Sequence, residues 1–343
     1  MDVSHYRCPA CGDRQWEKDA AFWKCTACSR SYACLNGIPK LYLESAIARQ
    51  DQELRDYFYN GLLGTYYQHV MPFLSLPVRP AKAYWKGWVV YVLVVLAIIL
   101  PFGNLARLLS APLQVNLSLT FVATVLICLS ICYFLYRHPY LFFLILLAVP
   151  VKICVGLTRF KPSETFQDVH ARAMKELSKR NAPLQILDIS TGTCNSLYRH
   201  GWMQLDAEYT GLDLSETMLL QGQELMARRN VPMNFVLGDA ACLPFQDETF
   251  DVALNYGALN GYANPKVALD EMARVTKSGG LVLFLDEQLY DRASAVERLY
   301  FNKVLSSHNV IHRCPVELLP ASLRDIKVRQ VYQFYYICTA YKK

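Results

Sequence analysis

From residue 185 to the C-terminus, short apolar stretches alternate with amphipathic ones, and this alternation limits the available folds more than any other feature of the chain. The apolar stretches predict strands over residues 185–189, 208–212, 234–237, 250–255 and 280–285, with two more over 326–331 and 333–339. Helices are expected between them, over 195–204, 216–229, 265–276 and 292–306. Such alternation predicts an α/β fold with a doubly wound, parallel, seven-stranded sheet spanning residues 158–343. Sheets of this kind bind ligands at the carboxyl ends of their strands, so the residues that close each strand are the ones to read.

The first strand closes in the loop of "LQILDISTGTCNS", which runs from Asp188 to Asn195. A loop that grips phosphate wants several glycines, and this one has only Gly192. The second strand closes at Asp213, the third at Asp239-Ala240 and the fourth at Asn255-Tyr256-Gly257. An acid about 20 residues beyond a glycine loop is placed to accept both hydroxyls of a ribose. Asp213 could instead be a helix N-terminal acid, because Ser215 and Glu216 open a helix beside it.

The segments "ILDISTGTCNS", "YTGLDLSETML", "NFVLGDAACLPFQDETFDVALNYGALN" and "NPKVALDEMARVTKSGGLVLFLDE" resemble, in this order, the motifs of class I S-adenosylmethionine-dependent methyltransferases, and among them the ubiquinone/menaquinone-biosynthesis subgroup. The resemblance implies a Rossmann-like methyltransferase domain with S-adenosyl-L-methionine as cofactor. It implies that Asp188 fixes the methionine amino end, that Asp213 holds the ribose hydroxyls and that Leu214 packs on the adenine. Asp239 would accept from the adenine amino group and Ala240 would donate a backbone N–H to the ring, with Asn255 also at the cofactor. Ser190, Gly192 and Cys194 occupy the family's three glycine positions, so two of the three are changed. Cys194 is the larger departure: a left-handed conformation costs a non-glycine residue about 1 kcal/mol or more. If the backbone keeps its path, its side chain is expected to point towards the ligand. For a general base the sequence offers only Tyr256, His308 and His312, together with Asp286 and Glu287 at a strand end.

At the N-terminus, "CPACG" and "WKCTACSRSY" set Cys8, Cys11, Cys25 and Cys28 in two CxxC pairs. Two such turns close a tetrahedron of thiolates, so a structural Zn²⁺ site is expected within a zinc ribbon over residues 1–43. With "NGIPKLYL" after it, this stretch resembles the zinc-ribbon module found beside many methyltransferases. Cys34 is left over and reads as a core thiol. The dispersed spacing of the remaining cysteines argues against a secreted disulfide framework.

Between the two polar ends lie an amphipathic linker over residues 44–83 and a membrane segment over 84–157. Residues 85–103 carry no charge after Lys86, and residues 113–136 carry none. A bilayer core takes about 20 apolar residues as a helix, so the two runs predict a transmembrane helical hairpin. The shorter run at 139–150 is expected to be interfacial or re-entrant. Arg79, Lys82 and Lys86 on one flank and Lys152, Arg159 and Lys161 on the other put both ends on the cytoplasmic side of the cell membrane.

The chain is 53% apolar and carries a net charge of +6 without a basic stripe, which speaks against a nucleic-acid partner. The expected function is therefore a membrane-anchored methyltransferase for a lipid-soluble acceptor, such as a quinone precursor or a lipid head group. Two alternatives stay open: non-methyl chemistry on the same cofactor in quinone remodelling, and a non-catalytic membrane scaffold.

Overall fold

The computed structural model describes residues 3–65, 160, 162–180, 182–302 and 312–343. The expected membrane segment lies outside the described residues, as do the rest of the linker after Thr65 and His308. No helix among the described residues is long and apolar enough to cross a membrane.

The N-terminal stretch folds as a four-stranded antiparallel sheet, β1 (Trp16–Lys18), β2 (Phe22–Cys25), β3 (Ser31–Leu35) and β4 (Ile38–Pro39). Asn36 and Gly37 join β3 to β4 with φ of 52° and 78°, the left-handed pair that a two-residue hairpin turn requires. The chain continues through α1 (Arg49–Glu53), a π-helical turn (Leu54–Tyr59) and α2 (Leu62–Thr65).

The C-terminal part follows the order α3 (Phe166–Leu177), β5 (Leu184–Ile189), α4 (Asn195–Arg199), β6 (Ala207–Asp213), α5 (Glu216–Arg228), β7 (Met233–Leu237), β8 (Phe250–Tyr256), α6 (Pro265–Val275), β9 (Thr276–Glu287), α7 (Ala295–Tyr300), β10 (Leu323–Tyr332) and β11 (Tyr335–Lys342). Its seven strands lie in the order β10-β11-β9-β8-β5-β6-β7. Strands β5 to β9 pair in parallel, as the alternation predicts. The last two do not. β11 runs antiparallel to both β9 and β10, so the sheet is mixed. Only Gln333 and Phe334 separate β10 from β11, and a two-residue connection can only return antiparallel.

Three smaller differences have local causes. The expected helix 195–204 stops at Arg199, because Gly201 takes a φ of 80° and a 3₁₀ turn follows at Trp202–Gln204. The strand expected over 280–285 begins earlier, at Thr276, because Gly279 and Gly280 form a bulge within β9, where pairing with β8 jumps from Phe250↔Thr276 to Val252↔Leu281. Helix α3 was not among the expected elements. Its signal is present all the same: Thr165 and Asp168 form a capping box, and Phe166, Val169, His170, Ala173 and Leu177 are buried along one face.

The N-terminal sheet and the C-terminal part belong to one compact unit, Met1–Gln68 with Phe160–Lys343. Aromatic rings join them. Tyr6 meets Trp23 edge-on at 5.0 Å and Phe245 at 5.3 Å, and Phe245 meets Phe250 of β8 at 5.0 Å. Truncating the fully buried Phe245 to Ala is expected to cost about 3–5 kcal/mol, read as a lowered urea midpoint; a loss under about 1 kcal/mol would show that this ring does not hold the two parts together.

Candidate functional site

The chain proceeds outward from β5 through β6 to β7, then returns to β8 on the other side of β5. That reversal opens a crevice beyond the carboxyl end of β5, where the loop Ser190–Cys194 sits. Ser190, Gly192 and Cys194 all adopt left-handed backbone, with φ of 54°, 54° and 57°. The two non-glycine residues thus adopt backbone that favours glycine, and each has a compensating contact. Ser190 Oγ lies 2.6 Å from Tyr262 Oη.

Cys194 does not turn towards the crevice as the sequence led us to expect. It is fully buried in an apolar cluster with Leu219, Met226 and Phe235. Its Sγ lies 2.9 Å from where a Cβ on Gly222 of α5 would stand. The absent side chain at Gly222 thus makes the room that the thiol fills.

Asp213, at the end of β6, is the anchor of the loop. Its Oδ2 accepts from the Gly192 backbone N–H at 2.8 Å and its Oδ1 from the Ser215 N–H at 2.9 Å. Ser215 in turn caps α5 by accepting from Met218 N–H. Loop anchor and helix start are thus one arrangement, and the cap and ligand readings of Asp213 do not compete. Burial pushes its carboxyl up to about 6, against the opposing pull of the N–H donors.

Asp188, at the end of β5, accepts from Thr191 Oγ1 at 2.6 Å through Oδ2. Its Oδ1 is buried with no partner. Burial first, and then the charge of Asp213, push this carboxyl up to about 7. On β8, paired beside it, Asn255 donates from Nδ2 to Ile189 O at 3.0 Å and to Tyr262 Oη at 2.8 Å, while its Oδ1 is also buried and unpartnered. Asp239, beyond β7, accepts from Ala241 N–H at 2.8 Å and is shifted up by burial. The site is therefore rich in buried acceptors and acids that burial biases towards protonation. A cationic ligand with donor groups fits it. An added Cβ on Gly192 would meet nothing within 4 Å, so the loop also leaves open space beside its backbone.

A strap from the N-terminal half closes over this edge. Gln50 Nε2 donates to Gly261 O at 2.9 Å, and Asp51 Oδ1 accepts from Ala263 N–H at 3.1 Å, both beyond β8. At its other end Asn60 Oδ1 accepts from Ser215 Oγ at 2.7 Å and Gly64 O from Gln221 Nε2 at 2.7 Å, beyond β6. Because β5 lies between β6 and β8, residues 50–64 span its carboxyl end. A cavity of about 280 Å³ beside the strap is lined by Tyr42, Arg55, Asn60, Leu214 and Leu237, which sets Leu214 against the strap. None of these strap residues was expected at the site. They are more than 150 residues from their partners in sequence, and no local pattern marks them.

Of the residues considered for acid–base work, Tyr256 is engaged within the fold. Tyr256 Oη lies 2.7 Å from His170 Nε2 and accepts from Trp202 Nε1–H at 2.7 Å. His170 Nδ1 faces Phe166 O at 2.8 Å, so that nitrogen carries the proton and Nε2 accepts from Tyr256. Burial lowers His170 to about 4 and keeps it neutral. Tyr256 is thus a node of a buried aromatic cluster. Asp286 accepts the N–H groups of Asn260 and Glu287, one on each oxygen and each at 2.8 Å, and burial raises its pKa. His312 is exposed and sits edge-on to Phe301 at 6.3 Å.

The sulfurs of Cys8, Cys11, Cys25 and Cys28 all lie within 4.8 Å of one another, with Cys8–Cys28 at 3.7 Å and Cys11–Cys25 at 3.6 Å. A tetrahedral zinc–thiolate shell with bonds of about 2.3 Å needs sulfurs about 3.8 Å apart, so the donor set fits that metal. Cys34 is half-buried and lies outside this cluster.

Residues 187–284 match a family described as "Methyltransferase domain". This part of the chain has the Rossmann-like α/β fold of methyltransferases. It is 41% identical over 97 residues to a demethylmenaquinone methyltransferase of Renibacterium salmoninarum, covering 28% of this chain and 38% of that one. It is 32% identical over 137 residues to the demethylmenaquinone methyltransferase of Thermus thermophilus, covering 39% and 62%. A third relative, phthiotriol/phenolphthiotriol dimycocerosates methyltransferase 1 of Mycobacterium ulcerans, is 45% identical over 82 residues, covering 23% and 29%. The chain thus spans less than two thirds of the length of each of these relatives.

The packing of Cys194 against Gly222 predicts a size exchange. Gly222→Ala alone is expected to destabilise by about 1–3 kcal/mol through overpacking against Sγ. Cys194→Gly in the same chain should restore most of that, giving a favourable coupling in a double-mutant cycle. Additive losses would mean that the thiol does not occupy this space.

Proposed function

We propose that this chain is an S-adenosyl-L-methionine-dependent methyltransferase acting on a lipid-soluble acceptor such as a quinone precursor or a lipid head group. The observation that carries the reading is the Asp213–Gly192 bond, which holds a left-handed loop and a strand-end acid together within the segment that matches the methyltransferase domain. Asp188 with its free Oδ1 receives the methionine ammonium, and Asp213 receives the ribose hydroxyls. Both Asp213 oxygens already accept one N–H each, which fixes their direction and leaves a lone pair on each for a hydroxyl. Leu214 packs on the adenine, Asp239 accepts from its amino group, and the Ala240 N–H donates to the ring. When bound, the cofactor supplies an electrophilic methyl on a sulfonium.

The protein's part is alignment and exclusion of water, which the strap over β5 serves by covering the crevice. Tyr256 is committed to His170 and Trp202, so it is held as a structural hydroxyl rather than a base. The lipid-soluble acceptor is supported by relatives named for menaquinone and phthiotriol methylation, and by the uncharged runs at 85–103 and 113–136. In this reading those runs anchor the chain in the cell membrane, with the cysteine module and the methyltransferase domain facing the cytoplasm and the 139–150 run at the interface. The four cysteines hold a structural zinc.

Isothermal titration of the detergent-purified chain with S-adenosylmethionine is expected to give micromolar binding. Asp213→Ala should weaken it by at least about 100-fold, since the change removes both the loop anchor and the ribose acceptor. Equal affinity in the variant, or no binding by the well-folded parent, defeats the reading.

Binding should also depend on pH with a definite sign. Asp188 and Asp213 have folded pKa values above those of free carboxylates, so ionising them as pH rises from about 4 to 7 destabilises the empty protein. A cationic ligand prefers the ionised pair, so affinity should rise with pH and level off above about 7. Below that, each carboxylate that must ionise is expected to weaken binding by up to about tenfold per pH unit. A flat profile between about pH 5.5 and 7.5 would exclude Asp188 from contact with the cationic end.

A further inference from the structure

The N-terminal module grips the loop after β7 from both sides. On the near side, Leu41 N–H donates to Leu237 O at 2.8 Å, and Lys40 pairs with Leu237 in a parallel bridge. On the far side, Arg7 N–H donates to Pro244 O at 3.1 Å, Gln246 N–H donates to His5 O at 2.9 Å, and Tyr6 pairs with Phe245. Between the two grips lie residues 238–243, which include Asp239 and Ala240. The first cysteine knuckle touches this stretch directly, with Pro9 O 4.0 Å from Cys242 Sγ. A side chain completes the clamp. Glu271 Oε2 accepts both the Leu243 backbone N–H at 2.8 Å and Arg7 Nη2 at 3.2 Å, while Arg274 holds the same carboxylate from α6.

We propose that the four-cysteine module is a positioning element of the cofactor site, and that its metal-held fold sets how well the loop at Asp239 and Ala240 recognises the adenine base. The inference rests on the proposed function. A six-residue stretch fixed at both ends has few conformations, so Asp239 and the Ala240 N–H meet the base at little entropic cost. Without the metal the knuckles lose their common centre, and the His5–Arg7 side of the clamp is released. The loop then has to be ordered by the ligand. Linkage requires the converse as well: adenine bound at the loop must strengthen metal retention.

The test compares two ligands on the full chain in detergent. S-Adenosylhomocysteine carries the 6-amino group that Asp239 accepts, and S-inosylhomocysteine carries an oxo group in its place. Zinc-loaded wild type is expected to prefer the adenine form by about tenfold, the worth of one well-placed hydrogen bond. Chelator-stripped protein should lose most of that preference. So should Arg7→Ala, which keeps all four cysteines and its metal and so separates the clamp from gross unfolding. General destabilisation would weaken both ligands alike and leave their ratio unchanged. A ratio preserved in Arg7→Ala and in folded, stripped protein overturns this proposal while leaving the methyltransferase reading intact. No binding of either ligand to the loaded wild type overturns both. The linkage arm reads zinc release to a chromogenic chelator, which should be slower with saturating S-adenosylhomocysteine; an unchanged release rate counts against the coupling.

Discussion

A carboxylate at the end of a central strand, bonded to the backbone of the neighbouring loop, organises this site. Asp213 must sit at the end of β6 to reach the Gly192 N–H, and Gly192 must be left-handed to present it. That geometry forces the residues on either side into alternating left-handed turns, which Ser190 and Cys194 tolerate only through specific neighbours. Tyr262 serves Ser190, and the missing side chain of Gly222 serves Cys194. The same carboxylate holds Ser215 at the start of α5, so loop, helix and strand end form one bonded set. Burial raises the proton affinity of both Asp188 and Asp213, and the charge of Asp213 raises that of Asp188 further.

The N-terminal half is not an appendage to this site. Its sheet packs aromatic rings on Phe245, its β4 end pairs with the rim of β7, and the strap that follows crosses the end of β5. The chain thus surrounds its own crevice from sequence positions far from the matched domain. A relative that shares only residues near 187–284 says nothing about this enclosure.

Much of the fold could be read directly. The parallel strands β5, β6 and β8 are apolar runs of strand length, buried along almost all of their residues. The cysteine cluster was equally legible, since CxxC spacing fixes which thiols face one another, and the four sulfurs do converge. Misreadings came where local and tertiary signals diverge. The bulge at Gly279-Gly280 looks like a helix terminator because two adjacent glycines say nothing about whether pairing resumes after them. Tyr256 looked available because the rings that occupy its hydroxyl, His170 and Trp202, arrive from separate elements.

The sequence by itself determined which residues stand at the ends of the strands, because apolar periodicity sets the strand boundaries and the boundary residues follow. The resemblance of the loop to the family's glycine motif also implied left-handed backbone at Cys194, which the structure has. Only the tertiary structure decided which way that thiol turns, which acids lack a partner, and which distant segments clamp the loops. Those outcomes depend on the space left by Gly222 and on hydrogen bonds spanning more than 150 residues. Side-chain direction and long-range pairing are settled by packing density and by the need to satisfy buried polar groups, and neither is written in any local window of the chain.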